Sequence, residues 1–168
     1  MSKTNEDILY REVQRLVKLW IIGVFLVASI FWWGFIQQVI FGIPFEDKPM
    51  GNGMLMFTWL LFGILFPWGA FKMKLVTEVR REGLFIRFVP FHFRYKKFRG
   101  KNIQLIKSIT YSLIERFDGW GIRINFEGER AYNMGGNQGV ELRLSSGSIV
   151  VIGSQKPYEF EKALFIIA

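Results

Sequence analysis

Polar and apolar positions fall into two regimes along this chain. From Leu19 to Phe41 no charged side chain interrupts 23 residues, LWIIGVFLVASIFWWGFIQQVIF. At about 1.5 Å per residue this predicts a helix able to span roughly 30 Å of hydrocarbon. A second uncharged stretch, MLMFTWLLFGILFPWGAF from Met54 to Phe71, predicts a second span over residues 51–71. The intervening GIPFEDKPMGNG carries Pro44, Pro49, Gly51 and Gly53, which break helices and make the two spans a tight hairpin. Pro67 predicts a kink near the inner end of the second span. Trp20 and Trp68 fall where an aromatic belt on one side of an antiparallel pair would lie. Ahead of the first span, Leu9, Val13, Leu16, Val17 and Trp20 recur at helical spacing. An amphipathic lead-in on the membrane surface and a plain extension of the helix both fit that pattern.

From Lys74 the period changes to two. LVTEV, GLFIRFV, FHFRYKK, SITYSLI, WGIRINF, GVELRL and SIVVIG are short β-branched or aromatic runs, with Glu82-Gly83 and Ser146-Gly147 as hairpin turns. About seven antiparallel strands are expected. The chain ends on SQKPYEFEKALFIIA, where Ser154 suits an N-cap, Pro157 a first turn, and Phe160, Ala163, Leu164 and Ile167 one apolar face. The expected fold is α+β. Residues 1–71 hold the lead-in and the transmembrane hairpin, and residues 72–168 form an antiparallel barrel or sandwich of pleckstrin-homology-like outline, closed by a C-terminal helix.

Charge sharpens this division. Residues 1–71 carry five Lys/Arg and five Asp/Glu, residues 72–168 carry seventeen against nine, and so the net +8 sits wholly in the second part. Arg11, Arg15 and Lys18 precede the first span, Lys72, Lys74, Arg80 and Arg81 follow the second, and only Lys48 lies between them. That asymmetry predicts a multi-pass protein of the plasma (inner) membrane with both termini cytoplasmic. A basic domain held there meets anionic headgroups first. The absence of cysteine excludes a disulfide framework, a thiolate metal site and a cysteine nucleophile.

Four segments carry a resemblance: Gly119-Trp120-Gly121-Ile122-Arg123, Ala131-Tyr132-Asn133, Gly136-Asn137-Gln138-Gly139-Val140 and Ile152-Gly153-Ser154-Gln155-Lys156-Pro157. With the hairpin before them, they make the chain resemble uncharacterised bacterial membrane proteins that join a two-helix transmembrane hairpin to a pleckstrin-homology-like domain. The resemblance implies a fold and no defined reaction, so it carries over no catalytic residue.

Among candidate sites, Phe91-His92-Phe93-Arg94-Tyr95-Lys96-Lys97-Phe98-Arg99-Gly100-Lys101 alternates aromatic and basic residues as far as Lys96. Arg94, Lys96, Lys97, Arg99 and Lys101 could contact lipid headgroups, at about 1 kcal/mol each. The same pattern fits a solvated strand whose Phe93 and Tyr95 fill the core. Gly119-Trp120-Gly121 and the glycines through Gly139 lack phosphate-loop spacing and read as turns. Ser154, Gln155 and Lys156 could offer free amides to an anion, or simply cap the helix.

Catalysis and metal binding find little material in one histidine, His92, and three aspartates, Asp7, Asp47 and Asp118. Glu127, Glu129 and Glu141 are spaced as solvent-facing strand residues. Gln37 and Gln38 suit either an interfacial position or a helix-to-helix hydrogen bond. No cofactor is implied. The expected function is a non-enzymatic, membrane-anchored module binding anionic lipid, a protein partner, or both. The alternatives are a self-associating scaffold and an accessory subunit of a membrane enzyme or transporter, with nucleic acid ranked last.

Overall fold

The computed structural model describes residues 8–44 and 50–168. Residues 45–49, which include Lys48 and Pro49 of the expected turn, lie outside the described residues, as does Asp7. In chain order the elements are β1 (Ile8–Arg15), α1 (Lys18–Ile40), α2 (Asn52–Lys72), β2 (Lys74–Arg80), β3 (Gly83–Val89), β4 (Lys96–Phe98) and β5 (Ile103–Thr110). There follow α3 (Leu113–Phe117), β6 (Gly121–Ile124), β7 (Arg130–Asn133), β8 (Gln138–Leu144), β9 (Ile149–Gly153) and α4 (Pro157–Phe165). This mixed α+β chain divides into two compact units: Leu16–Met73, and β1 together with Lys74–Ala168.

In the helical unit, α1 and α2 are both long and apolar enough to cross a membrane. Only Val24, Ala28 and Gly34 are buried along Lys18–Phe35, so Leu19, Ile22, Leu26 and Ile30 face outward. The helices are antiparallel, as their ring contacts record: Phe25 meets Phe71 at 5.5 Å, Phe31 meets Phe62 at 5.0 Å and Phe35 meets Trp59 at 4.2 Å. Gln38 makes the helix-to-helix bond, donating to the Met50 carbonyl at 2.6 Å and to Asn52 Oδ1 at 3.0 Å. Where Pro67 predicts a kink, the preceding Trp59–Leu65 is π-helical. Proline has no N–H for the Gly63 carbonyl four residues back, and Trp32 Nε1 donates to that oxygen at 3.2 Å. Glycine permits the approach, since a Cβ at Gly63 would lie 3.1 Å from Trp59 Cδ1.

The other unit holds two sheets, ordered β1-β2-β3-β4 and β5-β8-β9-β7-β6. Pairing is antiparallel except between β7 and β9, which run parallel. Alternation sends Leu75, Val79, Leu84, Ile86 and Phe88 of the first sheet and Val140, Leu142, Val150 and Ile152 of the second into full burial. Phe160 and Leu164 of α4 are buried with them, and α4 packs on β5 and β8 as well as on β1 and β2. Among the described residues no strand pairs across from one sheet to the other, so the expected closed barrel is not formed.

Two further expectations are corrected. SITYSLI is not one strand: β5 ends at Thr110, and Ser112 Oγ accepts from the Glu115 N–H at 3.4 Å to cap α3. The amphipathic lead-in is strand β1, antiparallel to β2 from Ile8↔Arg80 to Arg15↔Lys74. Its helical pattern misleads because the inward side chains are polar and their partners lie some 140 residues away. Gln14, almost wholly buried, donates to the Gly153 carbonyl at 2.6 Å. Glu12 accepts from Tyr10 OH at 2.6 Å, Ser154 Oγ at 2.7 Å and the Gln155 N–H at 2.8 Å. Tyr10 also stacks on Phe160 at 5.2 Å.

Replacing Glu12 by alanine strands those three donors and should cost about 2 kcal/mol, read as a lower midpoint in chemical unfolding of the full chain in detergent. Gly63→Leu should separate the helices at Trp32, and loss of the exciton-coupled near-ultraviolet signal of the Trp32–Trp59 pair, 5.1 Å apart, checks it.

Candidate functional site

Register decides where the basic residues go. Only Lys96–Phe98 of the aromatic and basic run is strand, and residues 90–95 form a loop joining β3 to β4. Phe93 is 90% exposed, so it does not fill the core. Lys97 lies opposite Phe85, and Phe98 opposite Leu84 near the start of β3, whereas Arg94 sits in the loop beyond the end of β3. Lys96 and Lys97 therefore point to opposite faces of the sheet, and the five candidate cations do not line one strand face. Lys96 is engaged with Tyr132, whose hydroxyl accepts from its ammonium at 2.6 Å. Lys97 pairs with Glu82 at 3.0 Å, and Arg99 and Lys101 follow as exposed residues.

A different cationic surface forms on the outer face of the four-stranded sheet. The pairs Arg11↔Glu78, Val13↔Val76 and Arg15↔Lys74 continue as Glu78↔Phe85, Val76↔Arg87 and Lys74↔Val89, then as Phe85↔Lys97. Since alternate residues share a face, Arg11, Arg15, Lys74, Arg80, Arg87 and Lys97 lie together over Val13, Val76, Phe85 and Val89. Among the described residues the one acid in this register is Glu78, buried, which is saturated by Arg80, by Arg11 at 3.4 Å and by Tyr95 OH at 3.2 Å. Burial, then Glu78, pushes the Tyr95 phenol above its ordinary value. Arg80 lies 4.7 Å from the Phe85 ring centroid, and Arg87 lies 5.8 Å from that of Tyr95. Arg15 and Lys74 have no ion pair among the described residues. Sequence reading missed this face, although its signal is the i, i+2 recurrence of Arg11, Val13 and Arg15 and of Lys74, Val76, Glu78 and Arg80.

The remaining candidates have structural partners. Gly119 and Gly121 take positive φ of 122° and 97°, beside Trp120, whose carbonyl accepts from Arg123 Nε at 3.0 Å. Asn133 Oδ1 accepts from the Gly121 N–H at 3.2 Å. A side chain at Gly139 would strike the Ile152 carbonyl across the sheet. Ser154 Oγ accepts from the Lys156 N–H at 3.0 Å, and Pro157 opens α4. The anion that the start of α4 could attract is already supplied, by Glu12.

Glu129 and Glu141 are buried, contrary to the solvent-facing reading. Arg116 of α3 donates to Glu129 at 2.9 Å through both Nε and Nη2, and to Glu141 at 2.8 Å. That pairing holds Glu129 below the usual carboxylate range. These groups border an open hollow of about 460 Å³ with Ser112, Asn125, Phe126 and Glu127. The donor set is internally satisfied. Among the described residues no three His, Cys, Asp or Glu side chains gather to hold a metal ion.

The whole chain, residues 1–168, matches a family of unknown function, DUF6141. No curated protein and no solved structure matches it.

Arg116→Ala should destabilise the chain by about 2 kcal/mol at neutral pH, because buried Glu129 loses its cation and buried Glu141 keeps only Arg143, at 3.7 Å. The Glu129 pKa is lowered on folding, so its contribution is present above the unfolded carboxylate value and is lost as pH falls through the lower folded value. The gap between parent and variant should therefore narrow on acidification, as measured by urea unfolding across the acidic range.

Proposed function

We propose that this chain, which belongs to the DUF6141 family, is a non-enzymatic module anchored in a membrane by α1 and α2. Its β-domain presents the cationic outer face of β1–β4 to anionic lipid headgroups. The observation that carries the reading is the helix pair itself. Leu19, Ile22, Leu26, Ile30, Met56, Phe57 and Leu65 face outward over the length of two apolar helices, a surface that water does not accommodate and lipid does. Basic residues flanking both helices, against a single one between them, favour the inner membrane with both termini cytoplasmic.

The sheet face supports the second half of the proposal. Of the six cations that share it, Arg11 and Arg80 meet Glu78 and Lys97 meets Glu82. That leaves Arg15, Lys74 and Arg87 without an ion pair among the described residues, and each such cation near an anionic surface contributes about 1 kcal/mol. A protein partner is favoured by one separate feature, the edge strand β6, on which Ile122 and Ile124 are exposed and Phe126 follows fully exposed.

Carbonate extraction should leave the chain in the membrane, and reporters placed at residues 46–48 and at the C-terminus should register opposite sides, with the C-terminus cytoplasmic. A cytoplasmic signal from the loop would overturn the orientation. Replacing Arg11, Arg15 and Lys74 together by alanine should cut retention of anionic over zwitterionic lipid on the purified chain by roughly 100-fold at low salt, read by mass spectrometry of co-purified lipid.

A further inference from the structure

The loop at residues 90–95 holds two of its aromatic side chains, Phe91 and Phe93, in the open. Phe93 is 90% and Phe91 63% exposed, although the backbone that carries them is firmly fastened. The His92 N–H donates to the Phe88 carbonyl at 2.7 Å, and His92 Nδ1 accepts the Phe88 N–H at 3.3 Å. Arg87 Nε donates to the His92 carbonyl at 3.3 Å, and the imidazole lies 5.9 Å from the Tyr132 ring. Burial, then Lys96, lowers the His92 pKa, which keeps the ring a neutral acceptor near pH 7. The tip is therefore presented by a fixed loop, and phenylalanine in water forgoes a large apolar burial.

Strand register says which end of the sheet bears this loop. Val89, its stem, lies opposite Lys74, and Lys74 lies opposite Arg15. Arg15 is three residues before the first residue of α1, and Lys74 two residues after the last of α2. At about 3.8 Å per Cα step, covalent reach alone holds both within about 11 Å of the helix ends. The opposite end of the same sheet is the turn at Arg81 and Glu82, six residues or about 20 Å along β3.

We propose that the 90–95 loop is an interfacial lipid anchor: Phe91 and Phe93 insert among the headgroups and upper acyl chains of the bilayer that α1 and α2 cross, with Arg94, Arg15 and Lys74 at phosphate level. The proposal rests on the membrane reading above. It goes beyond that reading in assigning the contact to one loop and to apolar insertion rather than to the cationic face alone. The insertion ties the β-domain to the surface by a third point besides its two covalent connections.

The chain has no cysteine, so single-cysteine variants can each be labelled uniquely with an environment-sensitive fluorophore. The full chain in lipid nanodiscs is labelled at Phe93→Cys, at Arg81→Cys on the far turn and at Leu26→Cys on the outward side of α1. All three native side chains are exposed, so the fold is retained. The expected result is strong quenching by lipid-borne nitroxide and several-fold protection from aqueous iodide at positions 93 and 26, with the reverse at 81. If position 26 lies in hydrocarbon while position 93 is as open to iodide as 81, the loop proposal falls and the anchor stands. Iodide access at position 26 overturns both. Equal lipid quenching at 93 and 81 overturns contact by one end of the sheet, and protection at 93 without lipid quenching overturns lipid as its occupant.

Discussion

The hydrogen-bonded ladder between β1 and β2 joins residues on either side of the whole helical hairpin. Because β1 ends at Arg15 and β2 begins at Lys74 directly opposite, both covalent links to the helices leave from one end of one sheet. This single pairing closes a long loop, an entropic penalty that packing must offset. The offset comes from Tyr10, Glu12 and Gln14, whose partners at Gly153, Ser154, Gln155 and Phe160 lie at the far end of the chain. The β-domain is thus not a module appended after the helices. Its first strand precedes them.

The same ladder arranges the charge. Pairing β1 beside β2 and β3 aligns Arg11, Arg15, Lys74 and Arg87 on one surface, which no single segment of sequence contains. Other charges are consumed internally. Glu12 sits at the start of α4, and Glu129 and Glu141 hold Arg116, so neither group is left for an outside ligand. Carboxylates buried against fixed donors are structural here, and the net positive charge is left to the outer sheet face and the loops.

The candidate site was only partly legible in sequence. The run from Phe91 to Lys101 stands out by composition, but its alternation reads as a strand. In the fold it is a loop followed by three strand residues, which sends Arg94 to one end of the sheet and Lys97 towards the other. Phe93 illustrates the reason. Alternation predicts that it faces a core, whereas a turn fastened by His92 points it outward. The Arg116 cluster left no local signature, because its members come from α3, from the turn before β7 and from β8.

By itself the sequence determined what depends on local pattern: two long apolar helices, the shift to period two after Lys74, the hairpin turn at Ser146-Gly147, and an apolar stripe on the last helix, while the turn read at Glu82-Gly83 falls one residue earlier, at Arg81 and Glu82. These follow from backbone hydrogen bonding and side-chain period, which act over a few residues. Only the tertiary structure decided that residues 8–15 are a strand, that the sheets stay open, and which cations share a surface. Those outcomes depend on contacts that reach across 142 positions and more, where a polar side chain such as Glu12 or Gln14 becomes an inward-facing residue once its partner arrives.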